Sequence, residues 1–178
     1  MIVFDTETNA LTVPDVAPLD QQPHILEFAG IKLDDKRLTE TARLEFLCSM
    51  GRPLAQEELK VNRITNEMLH GIPPFAAHLK KLTDFFFGEW TMVAHNLPYD
   101  ANVLRYELIR LDRVTRFPWP PNWICTVEAS ISLRGHRLKL SELYAEATGS
   151  EHKDAHRAMP DTEALVACVR WLRKKRLL

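Results

Sequence analysis

The sequence predicts an α/β fold, and three features carry that prediction. A short apolar run, Ile2-Val3-Phe4, reads as a strand buried on both faces; strand and helix signals alternate from Phe75 onward; and helical patterns finish the chain. With 178 residues, 46% of them hydrophobic, the chain suits one compact domain over 1–178 with a core of its own.

The first strand ends in Asp5-Thr6-Glu7 and is expected at the centre of a sheet. A loop containing Pro14, Pro18 and Pro23 follows, and then His24 to Leu33 and Arg43 to Cys48 read as two further strands. The polar turn Asp34-Asp35-Lys36 makes those two a hairpin. Phe75, Leu79, Leu82 and Phe86 fall at helical spacing before Gly88, and Thr91 to Ala94 is a fourth short strand. Val103, Leu104, Leu108 and Leu111 stripe the next helix. Pro118, Pro120 and Pro121 then interrupt the chain before a fifth strand, Trp123 to Thr126. Leu138 to Ala147 is helical, and so is Asp161 to Leu172, with Pro160 well placed at its first turn.

Composition excludes several classes of function. A net charge of −1 provides no long electrostatic footprint for nucleic acid, so any polymer substrate must be gripped locally. Cys48, Cys125 and Cys168 are odd in number and lack metal-ligand spacing, which argues against a disulfide framework and against a zinc site. No stretch approaches the length of a membrane span, and acids follow the first apolar run with no basic leader before it. A cytoplasmic protein with no membrane partner is expected.

The acids are the informative residues. Strand side chains alternate, so Asp5 and Glu7 project to the same side at the carboxyl end of the first strand. Asp100 is followed at helical spacing by Val103, Leu104, Leu108 and Leu111, which places it at the top of a buried stripe. Asp161 is followed in the same way by Ala164, Leu165, Cys168 and Leu172. Taken singly, each acid has an ordinary explanation as surface charge or as a helix-start residue favoured by the dipole. The dipole, however, does not require an acid on the apolar face. Four carboxylates gathered on apolar faces are costly unless a cation neutralises them, and hard divalent ions such as magnesium or manganese prefer oxygen ligands. His156, five residues before Asp161, completes the set.

The order DTET, ITNEML (Ile64 to Leu69), AHNLPYD, HRAMPD resembles the DEDD superfamily of 3′–5′ exonucleases, in the branch whose last motif is H-x-x-x-x-D, as at His156 and Asp161. That branch includes polymerase proofreading exonucleases, ribonuclease T and oligoribonuclease. The resemblance runs from about residue 1 to residue 172 and implies a ribonuclease H-like fold, a five-stranded mixed sheet flanked by helices, with the site at the end of the central strand. It implies that Asp5, Glu7 and Asp161 bind one divalent metal directly, that Asp5 bridges to a second, that Asp100 acts directly or through water, and that His156 is the general base. Two such ions can clamp a phosphodiester, activating the attacking water and stabilising the departing 3′ oxygen. The implied products are nucleoside 5′-monophosphates released from the 3′ end of single-stranded nucleic acid, DNA being favoured over RNA.

By the same resemblance, Thr6, Thr8 and an apolar residue matching Leu11 lie against the terminal nucleotide, and Val61 and Asn62, just before ITNEML, supply another contact. Leu11 is either a base wedge or a loop residue tucked onto the surface. Asn96 and Tyr99 support the site, and His95 is structural. Two departures stand out: Asn9-Ala10 replaces the family's more usual Thr-Gly turn, and Cys125-Thr126 stands where Asp-Thr is frequent. The expected partners are 3′ ends of single-stranded DNA or RNA, with a DNA polymerase as a further candidate. Nothing in the chain compels a particular oligomeric state.

Overall fold

The computed structural model describes residues 1–14, 17–60, 63–153 and 156–178. Five strands form one mixed sheet: β1 (Ile2–Thr8), β2 (Ile25–Leu33), β3 (Glu40–Leu47), β4 (Thr91–Ala94) and β5 (Asn122–Cys125), in the order β3-β2-β1-β4-β5. β1 is central, antiparallel to β2 and parallel to β4; β2 and β3 form the expected hairpin, and β4 pairs parallel with β5. The helices are α1 (Asn66–Leu69), α2 (Leu79–Phe86), α3 (Leu97–Arg110), α4 (Thr126–Arg134), α5 (Leu140–Thr148) and α6 (Ala158–Lys174). Among the described residues, no helix is long and apolar enough to cross a membrane.

Ile2, Val3 and Phe4 are fully buried because both faces of the sheet are covered. Ile2, Phe4 and Phe28 pack with Phe86 of α2 and with Leu104 and Leu108 of α3. Val3, Ala29 and Ile31 pack on the other face with Leu143 of α5 and with Leu165 and Val169 of α6. A strand with helices on both sides reads as a continuous apolar run rather than an alternating one, and Ile2-Val3-Phe4 does so. This division matters for the site: along β1, even-numbered side chains face α3 and odd-numbered side chains face α6.

Two elements differ from expectation. The helix over Phe75 to Phe86 is broken into a 3₁₀ turn, Phe75–His78, followed by α2. After Pro74 the turn closes tightly, Ala77 N–H donating to the Pro74 carbonyl, and the ring of Phe75 lies edge-on to Phe46. The second difference is α4, which begins at Thr126, a residue expected to end the fifth strand. Its apolar residues Val127, Ala129, Ile131 and Leu133 alternate with a period of two, so the sequence displays no helical spacing there. Burial instead selects Thr126, Val127 and Ser130, one face of a helix. The proline-rich loop is tied down by Arg110, whose guanidinium donates to the carbonyls of Leu19, Gln22 and Pro23.

Candidate metal centre

Beyond Phe4 the central strand carries Asp5 and Glu7 toward α6 and Thr6 toward α3. On the α6 side, carboxylate oxygens of Asp5, Glu7 and Asp161 all lie within 4.8 Å of one another. Asp161 occupies the first turn of α6, one residue after Pro160, so the helix stripe that packs Leu165 on the sheet also brings this carboxylate to the end of β1. The donors are all oxygens, the set that suits a hard divalent ion.

Asp100 approaches from the other face. It is buried on α3, and its Oδ1 accepts the backbone N–H of Thr6 at 3.0 Å and the Thr6 hydroxyl at 2.8 Å. The structure thus groups three of the four expected acids directly and attaches the fourth to the strand between Asp5 and Glu7. Asn96, in the left-handed conformation at φ 66°, turns the chain into α3 just ahead of Asp100. His95 is a structural link: its Nε2 donates to the Leu138 carbonyl at 3.1 Å, and burial holds its pKa down, which leaves Nδ1 to accept the Thr126 hydroxyl at 3.0 Å.

The segment before α6 brings two histidines to the site. His156 is exposed, with a left-handed backbone at φ 73°, and its N–H donates to Asp161 Oδ2 at 3.0 Å. His152, which the sequence reading did not single out, places its imidazole Nε2 on Asp161 Oδ1, with a side chain only 8% exposed. Both histidines, with Asp161, His95, Asn96, Arg137 and Lys139, line a cleft of about 690 Å³. The Arg137 guanidinium donates to Asn96 Oδ1 at 3.0 Å.

The other expected substrate contacts are placed as follows. Thr6 is buried and committed to Asp100. Thr8 is buried too, its hydroxyl bonded to the Ala10 carbonyl and to Tyr99, whose own hydroxyl donates to Ala10. Leu11 is 75% exposed, an apolar side chain left in solvent beyond the end of β1. Val61 and Asn62 lie outside the described residues.

Glu27 also escaped the sequence reading. It is 1% exposed on β2, directly opposite Glu7, and is met by Arg157. A signal existed: Glu27 interrupts the apolar run Ile25-Leu26-Glu27-Phe28-Ala29, as Asp5 interrupts Ile2-Val3-Phe4. His152 had none, since a histidine in a polar loop is ordinary.

Clustering changes how readily the acids ionise. Burial raises the pKa of Asp5, with Asp100, Asp161, Glu7 and Glu27 adding repulsion. Glu7 is pushed up to about 8, by burial first and then by Asp161, Glu27 and Asp100. Asp100 is raised to about 7 by burial, against the lowering effect of its Thr6 bonds. A carboxyl whose folded pKa exceeds its unfolded one stabilises the fold when protonated, and this contribution is lost as pH rises through the folded value. Glu7 alone gives a window from 4.5 to about 8. His95 and His78, held below their ordinary 6.5, act in the opposite sense only as pH falls toward and below that value. The Tm in EDTA is therefore expected to fall between about pH 6.5 and 8, and saturating magnesium or manganese to flatten the decline by neutralising the same anions. A Tm in EDTA that stays level or climbs over this range would contradict the electrostatic picture.

The solved structures that resemble this one share its five-stranded mixed sheet flanked by helices, the ribonuclease H-like exonuclease fold. They include the nuclease domain of 3′hExo, a DEDDh family member bound to rAMP, with TM-score 0.74, 16% identity and coverage of 98% of this chain and 90% of that one. Exonuclease X in complex with 5′ overhanging duplex DNA gives TM-score 0.63 and 22% identity, covering 98% and 91%. In sequence, the chain is 27% identical over 168 residues to the PolC-type DNA polymerase III of Listeria welshimeri, covering 91% of this chain. It is 30% identical over 105 residues to the DNA polymerase III subunit epsilon of Treponema pallidum, covering 59% of this chain. The match spans 10% of the PolC-type relative and 44% of the epsilon subunit. The RNase T family model, described as an exonuclease, matches residues 2–169. On a match of that extent, the protein belongs to the RNase T family of exonucleases.

Proposed function

We propose that this chain is a metal-dependent 3′–5′ exonuclease that removes nucleoside 5′-monophosphates from the 3′ end of single-stranded nucleic acid, DNA in preference to RNA, in a cytoplasmic setting. The observation that carries the reading is the convergence of Asp5, Glu7 and Asp161, from residues far apart in the chain, within 4.8 Å beside an open cleft. In this reading Asp5, Glu7 and Asp161 hold magnesium or manganese ions, two in number, with Asp100 contributing directly or through water. Bound there, the ions supply charge stabilisation to the phosphoryl oxygens and the leaving 3′ oxygen. His156, on the rim of the cleft, takes the proton from the attacking water at an imidazole nitrogen. Asn96, Arg137 and Lys139 line the cleft beside the acids, and the two cations favour the phosphates of a strand entering it. Thr6 and Thr8 shape the end of β1 against the terminal nucleotide, with Leu11 as an exposed apolar surface for its base. Val61 and Asn62 remain assigned to the substrate by family resemblance.

Digestion of matched 3′-labelled DNA and RNA strands, single and paired, tests this reading. With magnesium or manganese, single-stranded DNA is expected to release labelled mononucleotide fastest, and EDTA to stop the release. Strands left intact with either ion would end the proposal; faster cleavage of RNA would turn it into an RNA-trimming enzyme of the same family.

A second reading is favoured by the names of the relatives, which are DNA polymerases or a polymerase subunit. The chain would then proofread alongside a DNA polymerase. Co-purification with a polymerase, and faster removal of a mismatched 3′ nucleotide in its presence, is the expected outcome.

A further inference from the structure

Immediately behind the acids, a buried carboxylate, Glu27, is paired with a partly exposed arginine, Arg157. Glu27 on β2 is 1% exposed, and both of its oxygens are occupied. Arg157 donates from Nε at 2.9 Å to Oε2 and from Nη2 at 2.6 Å to Oε1, and the N–H of Ala158, the first residue of α6, donates to Oε2 at 3.0 Å. The backbone of Arg157 is engaged as well. Its carbonyl accepts the N–H of Asp161 at 3.0 Å, while the residue before it, His156, donates its N–H to the Asp161 carboxylate at 3.0 Å. One residue therefore joins a buried acid on the sheet to the two groups at the start of α6 that the proposed reaction uses.

Such a pair is a poor source of stability, because burying its carboxylate costs much of what the attraction returns, and an apolar pair of similar volume can hold a helix as well. It does provide direction. A planar guanidinium gripping both carboxylate oxygens fixes distance and orientation together. Glu27 lies opposite Glu7 in the strand register, so the same contact fixes α6 relative to the strand that carries Asp5 and Glu7. We propose that Glu27 and Arg157 are positioning residues, a clamp that sets Asp161 and His156 against Asp5 and Glu7 so that the acids form a metal site of the right dimensions. The role in catalysis rests on the exonuclease reading; the role in metal binding does not.

The test uses the full chain with Glu27→Gln, Arg157→Gln and Arg157→Lys. Calorimetric titration with manganese in the absence of nucleic acid measures affinity, 3′-labelled strands give kcat and KM, and thermal melts give Tm. The clamp predicts that both Gln variants lose about 10- to 100-fold in manganese affinity and in kcat, as expected for groups that orient metal ligands, while KM for the strand stays near the wild-type value. Arg157→Lys keeps the charge without the fork, so it should lose less than Arg157→Gln, and it carries the test if the Gln variants do not fold. A lower Tm with manganese affinity and kcat both at wild-type levels would overturn the clamp and leave the pair as an ordinary helix anchor. If the wild-type protein cleaves no nucleic acid, the proposed function fails, and the manganese titrations still decide whether the clamp exists.

Discussion

Asp5→Asn is expected to reduce kcat on a 3′-labelled strand by roughly a thousandfold or more, the several kcal/mol of charge stabilisation that a metal site supplies. Asp5 is the hub of the cluster. It shares the three-carboxylate group with Glu7 and Asp161, and it also feels Asp100 from the α3 side and Glu27 from β2. The same substitution should stabilise the metal-free fold, because a neutral amide of nearly the same shape replaces a carboxyl crowded by four other acids. Activity and Tm in EDTA then move in opposite directions, which separates loss of the metal site from loss of folding. If Asp5→Asn keeps more than about a tenth of the wild-type rate under saturating metal, charge stabilisation of this size is not operating there.

The second large effect is expected at His156. Removing a general base costs about a hundred- to ten-thousandfold in rate, and manganese affinity should change little, since the imidazole is not among the clustered ligands. The backbone of His156 is left-handed at φ 73°, a strain that an alanine there shares with the histidine it replaces. Glycine adopts that conformation freely, and the informative comparison is His156→Gly. If its rate falls as far as that of His156→Ala, the loss belongs to the imidazole and not to the backbone. His152→Ala is the necessary counterpart, because it is His152 whose imidazole meets the Asp161 carboxylate in this structure. That contact places a polar partner where the proposed metal would compete for the same oxygen. His152→Ala is therefore expected to leave kcat within about an order of magnitude of wild type and to keep or tighten manganese binding. A reversal, with His152→Ala inactive and His156→Gly active, would transfer the role of base to His152.

How far the site was legible varied with the range of the signal. β1 and the stripes of α3 and α6 are local patterns, and their residues came out in register because burial on a helix or strand face follows from spacing alone. α4 carries no such pattern, since Val127, Ala129, Ile131 and Leu133 alternate without helical spacing, and the sequence assigns no element there. Within the site, Asp5, Glu7 and Asp161 were expected together and are together. The hold of Thr6 on Asp100 was not foreseen, nor was the hold of Arg157 on Glu27, although Glu27 broke an apolar run as plainly as Asp5 did.

The sequence by itself determined the α/β class, the central strand ending in two carboxylates, the helices that each begin with an acid on the apolar face, and the motif order that the exonuclease family shares. Such features are set by neighbours a few residues apart, whose periodicity any stretch of chain displays before it folds. Only the tertiary structure decided that Asp161 reaches the odd-numbered face of β1 while Asp100 binds Thr6 on the other, and that Glu27 is answered by Arg157. These partners are separated by 94 and 130 residues. Which of them meet depends on strand order and on the face each helix covers, quantities that emerge when the whole chain buries its apolar surface together.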